Sequence, residues 1–454
     1  MLTRIEINGF KTFEGFTLDL QPFSAIVGPN ASGKSNLFDA IRFLSLLAQF
    51  DVRTAMQGLR GQPEELFRRT GAGLSKVMSF AVEVLLDAEG EDAFGQTYAI
   101  NAQRLRYEIE LTLKADLNGQ ARGVFVSFES CTAIPKLEER GQGLWNSGIS
   151  YSRRTTSFIE MEGLKGNSPA FVIRQDGLTS DGKTTKRGNP LRLPATEASR
   201  TALSTITTAE FRHLYALRSL FTATRFLEIN PQAARRPSDR LEEKSLRSDA
   251  SNLAAVLAHL RDETKTEDRP DGVIADVSID LASLIPSVRA VKVFNDPNAK
   301  EYSFDVVMTD RLQFSARVIS DGTLRLLALL AMLNDPKRRG ILCFEEPENG
   351  VHEGRIGALV ELLRDAASKM TEIGDEPLFQ VLVNTHSPAV MEALDDLEVV
   401  AADLVRVIHV QASHGVIKTR MRTGLRSDSL GLNPETDLNR REVQKLLRTR
   451  GNAA

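Results

Sequence analysis

Apolar and polar residues alternate near the amino terminus: Ile5 and Ile7, then Phe16, Leu18 and Leu20, are separated by polar neighbours. A period of two predicts two antiparallel strands joined through residues 11–15. Residues 24–27, SAIV, predict a short buried strand running into Gly28, and NLFDAIRFLSLLAQF after Ser35 carries apolar residues at helical spacing. From about residue 60 to 300 the pattern becomes short strand-like runs, MSFAVEVLL, RLRYEIELTL and GVFVSFES, divided by polar turns, with helices predicted over 196–226 and 241–262. Residues 180–192, SDGKTTKRGNPLR, predict an exposed loop. Beyond 303 strands and helices alternate: strands over 304–308, 341–344 and 379–383, and helices over 323–333 and 353–370. No internal repeat is evident, and no heptad pattern persists long enough for a long coiled coil.

Composition narrows this picture. At 454 residues the chain exceeds the size at which one core usually stops growing. The expected division is residues 1–60 and 301–415 as two parts of one α/β head, 61–300 as an inserted β-rich and helical lobe, and 416–454 as a basic segment. A net charge of -3 argues against a uniformly basic nucleic-acid coat, although basic stretches occur at 183–192, at 235–240 and at Arg420, Arg422, Arg440, Arg441, Lys445, Arg448 and Arg450. Exposed charge runs more often mean a solvated face than a nucleic-acid contact. Cys131 and Cys343 stand far apart and offer neither a disulfide framework nor zinc-ligand spacing. The amino terminus lacks a signal-peptide layout, and the apolar run at 326–333 is too short to span a bilayer. A cytoplasmic protein without a membrane partner is therefore expected.

Two stretches carry chemistry. GPNASGKS, Gly28 to Ser35, fits G-x-x-x-x-G-K-[ST] with a predicted strand before it and a helix after it. Such a loop surrounds the phosphates of a nucleotide with backbone N–H groups, with Lys34 as a point charge and the Ser35 hydroxyl for Mg²⁺. The expected nucleotide contacts are Gly28, Pro29, Asn30, Ala31, Ser32, Gly33, Lys34, Ser35 and Asn36. The second stretch, ILCFEEPENG (341–350), crowds three carboxylates behind an apolar strand, where like charges raise one another's pKa unless something offsets them. A solvated turn is one reading. The other is a metal and water site, with Glu345 on Mg²⁺ and Glu346 as the base that deprotonates the attacking water. His386, in NTHSP at another strand end, stands where a histidine can sense the γ-phosphate or simply fill a surface position.

Together these motifs resemble an ABC-type ATPase of the RecF, SMC and OLD-like class, and most closely the predicted ATPases called AAA_21. The resemblance covers the first fifty residues and the last hundred and fifty; the middle resembles the class only loosely. It implies a P-loop NTPase head of α/β class with an antiparallel β subdomain and an inserted α+β region. Walker A is GPNASGKS, Walker B with its catalytic acid is ILCFEE, and the histidine switch is NTHSP. The signature looks like ISDGTLR, 319–325, which departs from the usual LSGGQ but keeps Ser320 and Gly322. The resemblance implies that these two residues close over ATP held by Lys34 of a second copy, in a head-to-tail homodimer or larger assembly. Glu345 replaces the usual aspartate, and Glu353 stands where proline is common.

Three functions compete on this basis. One is an ATPase controlling a separate effector, such as a nuclease, in an anti-phage defence or nucleic-acid-directed complex. Only about seventy residues follow His386, without the acidic cluster of a nuclease module, so the effector is expected on another chain. The others are a RecF-like DNA repair or recombination factor that binds DNA directly, and the ATP-binding subunit of a transporter; DNA or RNA is a candidate partner.

Overall fold

The computed structural model describes residues 1–70, 73–115, 121–138, 148–152, 154–163, 168–174, 190–370, 376–407, 416–423 and 442–443. The chain opens with the antiparallel pair β1 (Leu2–Asn8) and β2 (Phe16–Asp19), then β3 (Phe23–Val27) and α1 (Lys34–Leu47). β4 (Val77–Leu85), β5 (Arg104–Ala115), β6 (Ala121–Ala133), β7 (Ile159–Glu162), β8 (Ala170–Ile173) and β9 (Leu191–Pro194) add to the first pair. The result is an eight-stranded antiparallel sheet in the order β9-β8-β7-β6-β5-β4-β1-β2.

α2 (Arg212–Thr222) and β10 (Arg225–Leu227) lead into α3 (Leu253–Thr264), α4 (Ile274–Leu284) and the hairpin β11 (Val288–Asp296) with β12 (Glu301–Met308). Next come α5 (Asp321–Leu333), β13 (Gly340–Glu345), α6 (Ile356–Ala366), β14 (Phe379–Thr385), β15 (Val399–Val407) and β16 (Val416–Arg422). A six-stranded sheet runs β10-β13-β14-β3-β15-β16, parallel except for the last pair.

This second sheet explains why its strands read as unbroken apolar runs: central parallel strands are covered on both faces. Along β13, Ile341 and Cys343 enter one core while Leu342 and Phe344 enter the other; along β3, Ile26 faces the first core and Phe23, Ala25 and Val27 the second. α1 lies in the first core, wedged between the two sheets, with Phe43 stacked on Phe10 (6.1 Å, 9°) and edge-on to Phe80 (5.8 Å). α3, α4, α5 and α6 cover the opposite face. Among the described residues no helix is long and apolar enough to cross a membrane.

Residues 61–300 contribute strands to both sheets, since β4 pairs with β1 in one and β10 pairs with β13 in the other. Several expectations need correcting. The helix expected over 196–226 is confined to α2. Before it only the 3₁₀ turns Leu203–Thr205 and Ala209–Phe211 form, separated by the β-branched ITT, and Arg225–Leu227 is drawn into the parallel sheet. The helix expected over 241–262 starts only at Leu253. Before it, the Asn252 side chain accepts from Arg247 N and donates to Glu243 O and Ser245 O, which gives that backbone a non-helical set of partners. Of the exposed loop at 180–192, residues 191–192 are strand and 180–189 lie outside the described residues. The segment 416–454 begins as sheet strand β16. There Arg420 and Arg422 pair with Asp403 (2.6 and 3.2 Å) across from β15; Arg440, Arg441, Lys445, Arg448 and Arg450 lie outside the described residues.

Where the sheets meet, Glu129 is fully buried and accepts from Tyr107 Oη (3.0 Å), Ala202 N (2.5 Å) and Leu203 N (2.8 Å). Burial outweighs these donors and pushes its carboxyl up to about 7. Between the ordinary carboxylate range and about pH 7 the folded chain thus holds a proton that the unfolded chain has lost, so stability falls as pH rises through that window. Glu129→Gln is expected to flatten this slope, worth roughly 3 kcal/mol in the wild type. Denaturant unfolding of both proteins at pH 5 and pH 8 checks it.

Candidate nucleotide-binding site

β3 ends at Val27, and residues 28–33 wrap back before α1 starts at Lys34. Gly33 makes that turn possible: its φ is 94°, and a Cβ there would stand 2.1 Å from Thr419 Oγ1 on β16. N–H groups of a first helical turn have no helical acceptor, and they face the loop at the positive end of α1. Ser32 adds a buried hydroxyl whose Oγ has no partner among the described residues. Lys34 is buried and its Nζ donates to Gly28 O (2.7 Å) and Pro29 O (2.9 Å), so the ammonium lies over the loop. This donor set fits a phosphate chain. Asn36 is turned the other way: its Nδ2 donates to Thr12 Oγ1 (2.8 Å), which in turn shares a hydrogen bond with Thr419 Oγ1 (2.6 Å). It fastens α1 to the body of the protein.

The acids emerge beside this loop. Registers pair Glu345 with Asn384, Asn384 with Ile26, and Thr385 with Val27, so β13, β14 and β3 end together. With about 4.8 Å between strands, the acid turn and the phosphate loop stand on the order of 10 Å apart, with the His386 turn between them. Glu346 has a left-handed φ of 50°, held by its N–H donating to Asn384 O (2.9 Å). His386 Nδ1 lies 3.1 Å from Glu346 Oε1, and Asn349 Nδ2 donates to Glu346 Oε2 (2.8 Å). Glu345 points to Arg60, whose Nη2 is 3.6 Å from Glu345 Oε1 and 3.2 Å from Asp39 Oδ1 on α1. A lone arginine carries no sequence pattern, so only the fold connects Arg60 with Glu345.

Among the described residues no three His, Cys, Asp or Glu side chains gather into a metal site of their own. Ser35 and Glu345 fit magnesium in another way, since Mg²⁺ is commonly held by one or two protein oxygens together with phosphates and water.

Ser320 and Gly322 belong to the far face. Ser320 caps α5, its Oγ accepting from Thr323 N (3.2 Å), while Arg235 donates to Ile319 O (2.8 Å) and to the Asp321 carboxylate. α5 is on the side of the sheet opposite α1, so the structure groups Ser320 and Gly322 with the acid turn rather than with the loop helix. The link is a backbone contact: a Cβ on Gly350, whose φ is 95°, would stand 2.5 Å from Gly322 Cα. Gly350→Ala is expected to lower stability by about 1–3 kcal/mol, measurable as a drop in Tm.

Residues 172–392 match the AAA_21 family model, described as an AAA domain, putative AbiEii toxin, type IV TA system, and residues 1–114 match AAA_15, an AAA ATPase domain. The chromosome partition protein Smc of Methanocaldococcus jannaschii is 54% identical over 44 residues, 10% of this chain and 4% of that protein. That of Bacillus subtilis is 38% identical over 95 residues, 20% and 7% of the two. The shared region is thus a small part of these relatives' length. Among solved structures, an SmcHead bound to the C-winged helix domain of ScpA aligns over 93% of this chain and 98% of its own, with 12% identity and a TM-score of 0.48. An Smc head bound to the C-terminal domain of ScpA, from Pyrococcus furiosus, aligns over 93% and 96%, with 13% identity and a TM-score of 0.45.

Proposed function

The chain is an ABC-type ATPase of the SMC and RecF kind, and on that premise we propose that it hydrolyses ATP between two head-to-tail copies of itself and thereby controls a separate effector. The observation that carries this reading is the Glu346–His386 pair, set at adjacent strand ends beside the Lys34 loop. Residues 28–35 bind the phosphates, and Ser35 with Glu345 would hold Mg²⁺, which neutralises charge on the phosphate oxygens. Glu346 takes the proton of the attacking water. His386 holds that carboxylate through Nδ1. Ser320 and Gly322 serve the partner's nucleotide, which agrees with their place on the face opposite α1.

The AAA_21 description, with its toxin of a type IV toxin–antitoxin system, supports a defence role for the assembly. A RecF-like factor that grips DNA directly draws less support, because Arg192 pairs with Glu162 (2.5 Å) and both Arg420 and Arg422 pair with Asp403. DNA binding that strengthens with ATP and weakens steeply with salt would restore it.

The test is phosphate release by the purified protein with Mg²⁺ and ATP, over a range of protein concentration and with candidate nucleic acids or the product of the adjacent gene. Specific activity is expected to rise with protein concentration as dimers form. Absence of hydrolysis under every one of these conditions would remove the reading.

A further inference from the structure

The acid turn has a third carboxylate that the hydrolytic scheme does not use. Glu348 faces inward: its Oε1 accepts from Thr385 Oγ1 at 2.5 Å, and its Oε2 is buried with no partner among the described residues. Thr385 is the last residue of β14 and is itself fully buried. A hydroxyl has one proton to donate. With that proton committed to Glu348, the Thr385 oxygen accepts from Ser387 N at 2.9 Å. Ser387 precedes Pro388, which favours an extended backbone there, and its Oγ accepts from Val390 N (3.4 Å), capping the short helix Pro388–Ala393. The backbone is therefore pinned on both sides of His386, whose side chain is 47% exposed and lies on Glu346.

We infer that Glu348 is a positioning residue, which acts through the Thr385 hydroxyl to fix the turn carrying His386 and so keeps Nδ1 of that histidine on Glu346. The inference rests on the hydrolytic reading above. It also explains the crowding at 345–348: two acids face the nucleotide side, and the third is turned into the protein as a strut. Burial pushes the Glu348 carboxyl above the ordinary range, which fits a group directed away from a metal, although the Thr385 hydrogen bond and His386 pull the other way.

Two measurements test it. With ¹³C-labelled histidine, the chain gives six ring signals, and His386→Ala identifies the relevant one. Glu348→Ala and Thr385→Val are expected to move the His386 signal and leave the others in place, whereas Glu348→Gln and Thr385→Ser, which keep the acceptor and the hydroxyl, should leave it nearly unmoved. An unmoved His386 signal in the first pair overturns the inference, as does movement of all six, which would mean general unfolding. In ATP hydrolysis, Glu348→Ala is expected to lower kcat about tenfold with KM unchanged, and to add nothing in the His386→Ala background. A further tenfold loss in that background also overturns it. If the wild type does not hydrolyse ATP, the functional reading fails, while the ring signals still decide whether Glu348 holds the turn.

Discussion

Glu346→Gln is expected to lower the rate of ATP hydrolysis about 10²- to 10⁴-fold, the usual worth of a positioned base, while ATP still binds. Glutamine has the size and hydrogen-bonding shape of the glutamate but cannot accept a proton from water. The backbone at this position is unusual for a non-glycine residue, at φ 50°, and is held by the hydrogen bond to Asn384 O. Because that anchor uses the main chain, the substitution should leave the turn in place. A protein that binds ATP and cannot cleave it should accumulate as the closed dimer, visible as a doubling of mass by light scattering only when ATP and Mg²⁺ are present. Turnover within threefold of wild type would show that Glu346 is not the base.

Lys34→Ala is expected to weaken ATP binding by on the order of 10²-fold or more, since a buried ammonium making charge-assisted contacts contributes roughly 2–3 kcal/mol. The same side chain bridges Gly28 O and Pro29 O, so its loss also loosens the loop before any nucleotide arrives. Isothermal titration with ATP measures the affinity, and thermal unfolding without nucleotide separates the local loosening from loss of fold. Unchanged affinity would mean that the phosphates do not lie over this loop.

Much of the head was legible because its signals are short-range. The strand before Gly28 and the one before Glu345 are buried on both faces, so their apolar runs needed no partner information to be recognised, and the glycines of GPNASGKS mark the turn by their own conformational freedom. The antiparallel pair β1 and β2 showed through its alternation because one face is covered and the other is wet. What escaped depends on long-range pairing. β10 is three residues long and exists as a strand only because β13 lies beside it. α4 and β11 lie in a stretch where apolar residues fit several periods at once, so no single period marks them. Nor does composition report that the eight-stranded sheet takes its last two strands, β1 and β2, from the first twenty residues.

The site followed the same division. Lys34, Ser35, Glu345, Glu346 and His386 are candidates by motif, whereas the contact of Arg60 with Glu345 and the inward turn of Glu348 arise from pairings between distant segments. The direction of the Asn36 amide, which donates to Thr12, likewise depends on a distant segment.

In the proposed dimer each nucleotide is shared, with Lys34 from one copy and Ser320 from the other. Mixing two inactive variants tests it most directly: Lys34→Ala, which lacks a working loop, and Ser320→Arg, which lacks a working signature. In a head-to-tail dimer of one copy of each, one of the two sites combines the intact loop with the intact signature. The mixture is expected to regain a substantial fraction of wild-type ATPase activity although neither variant has any alone; a mixture as inactive as its parts would contradict the shared site.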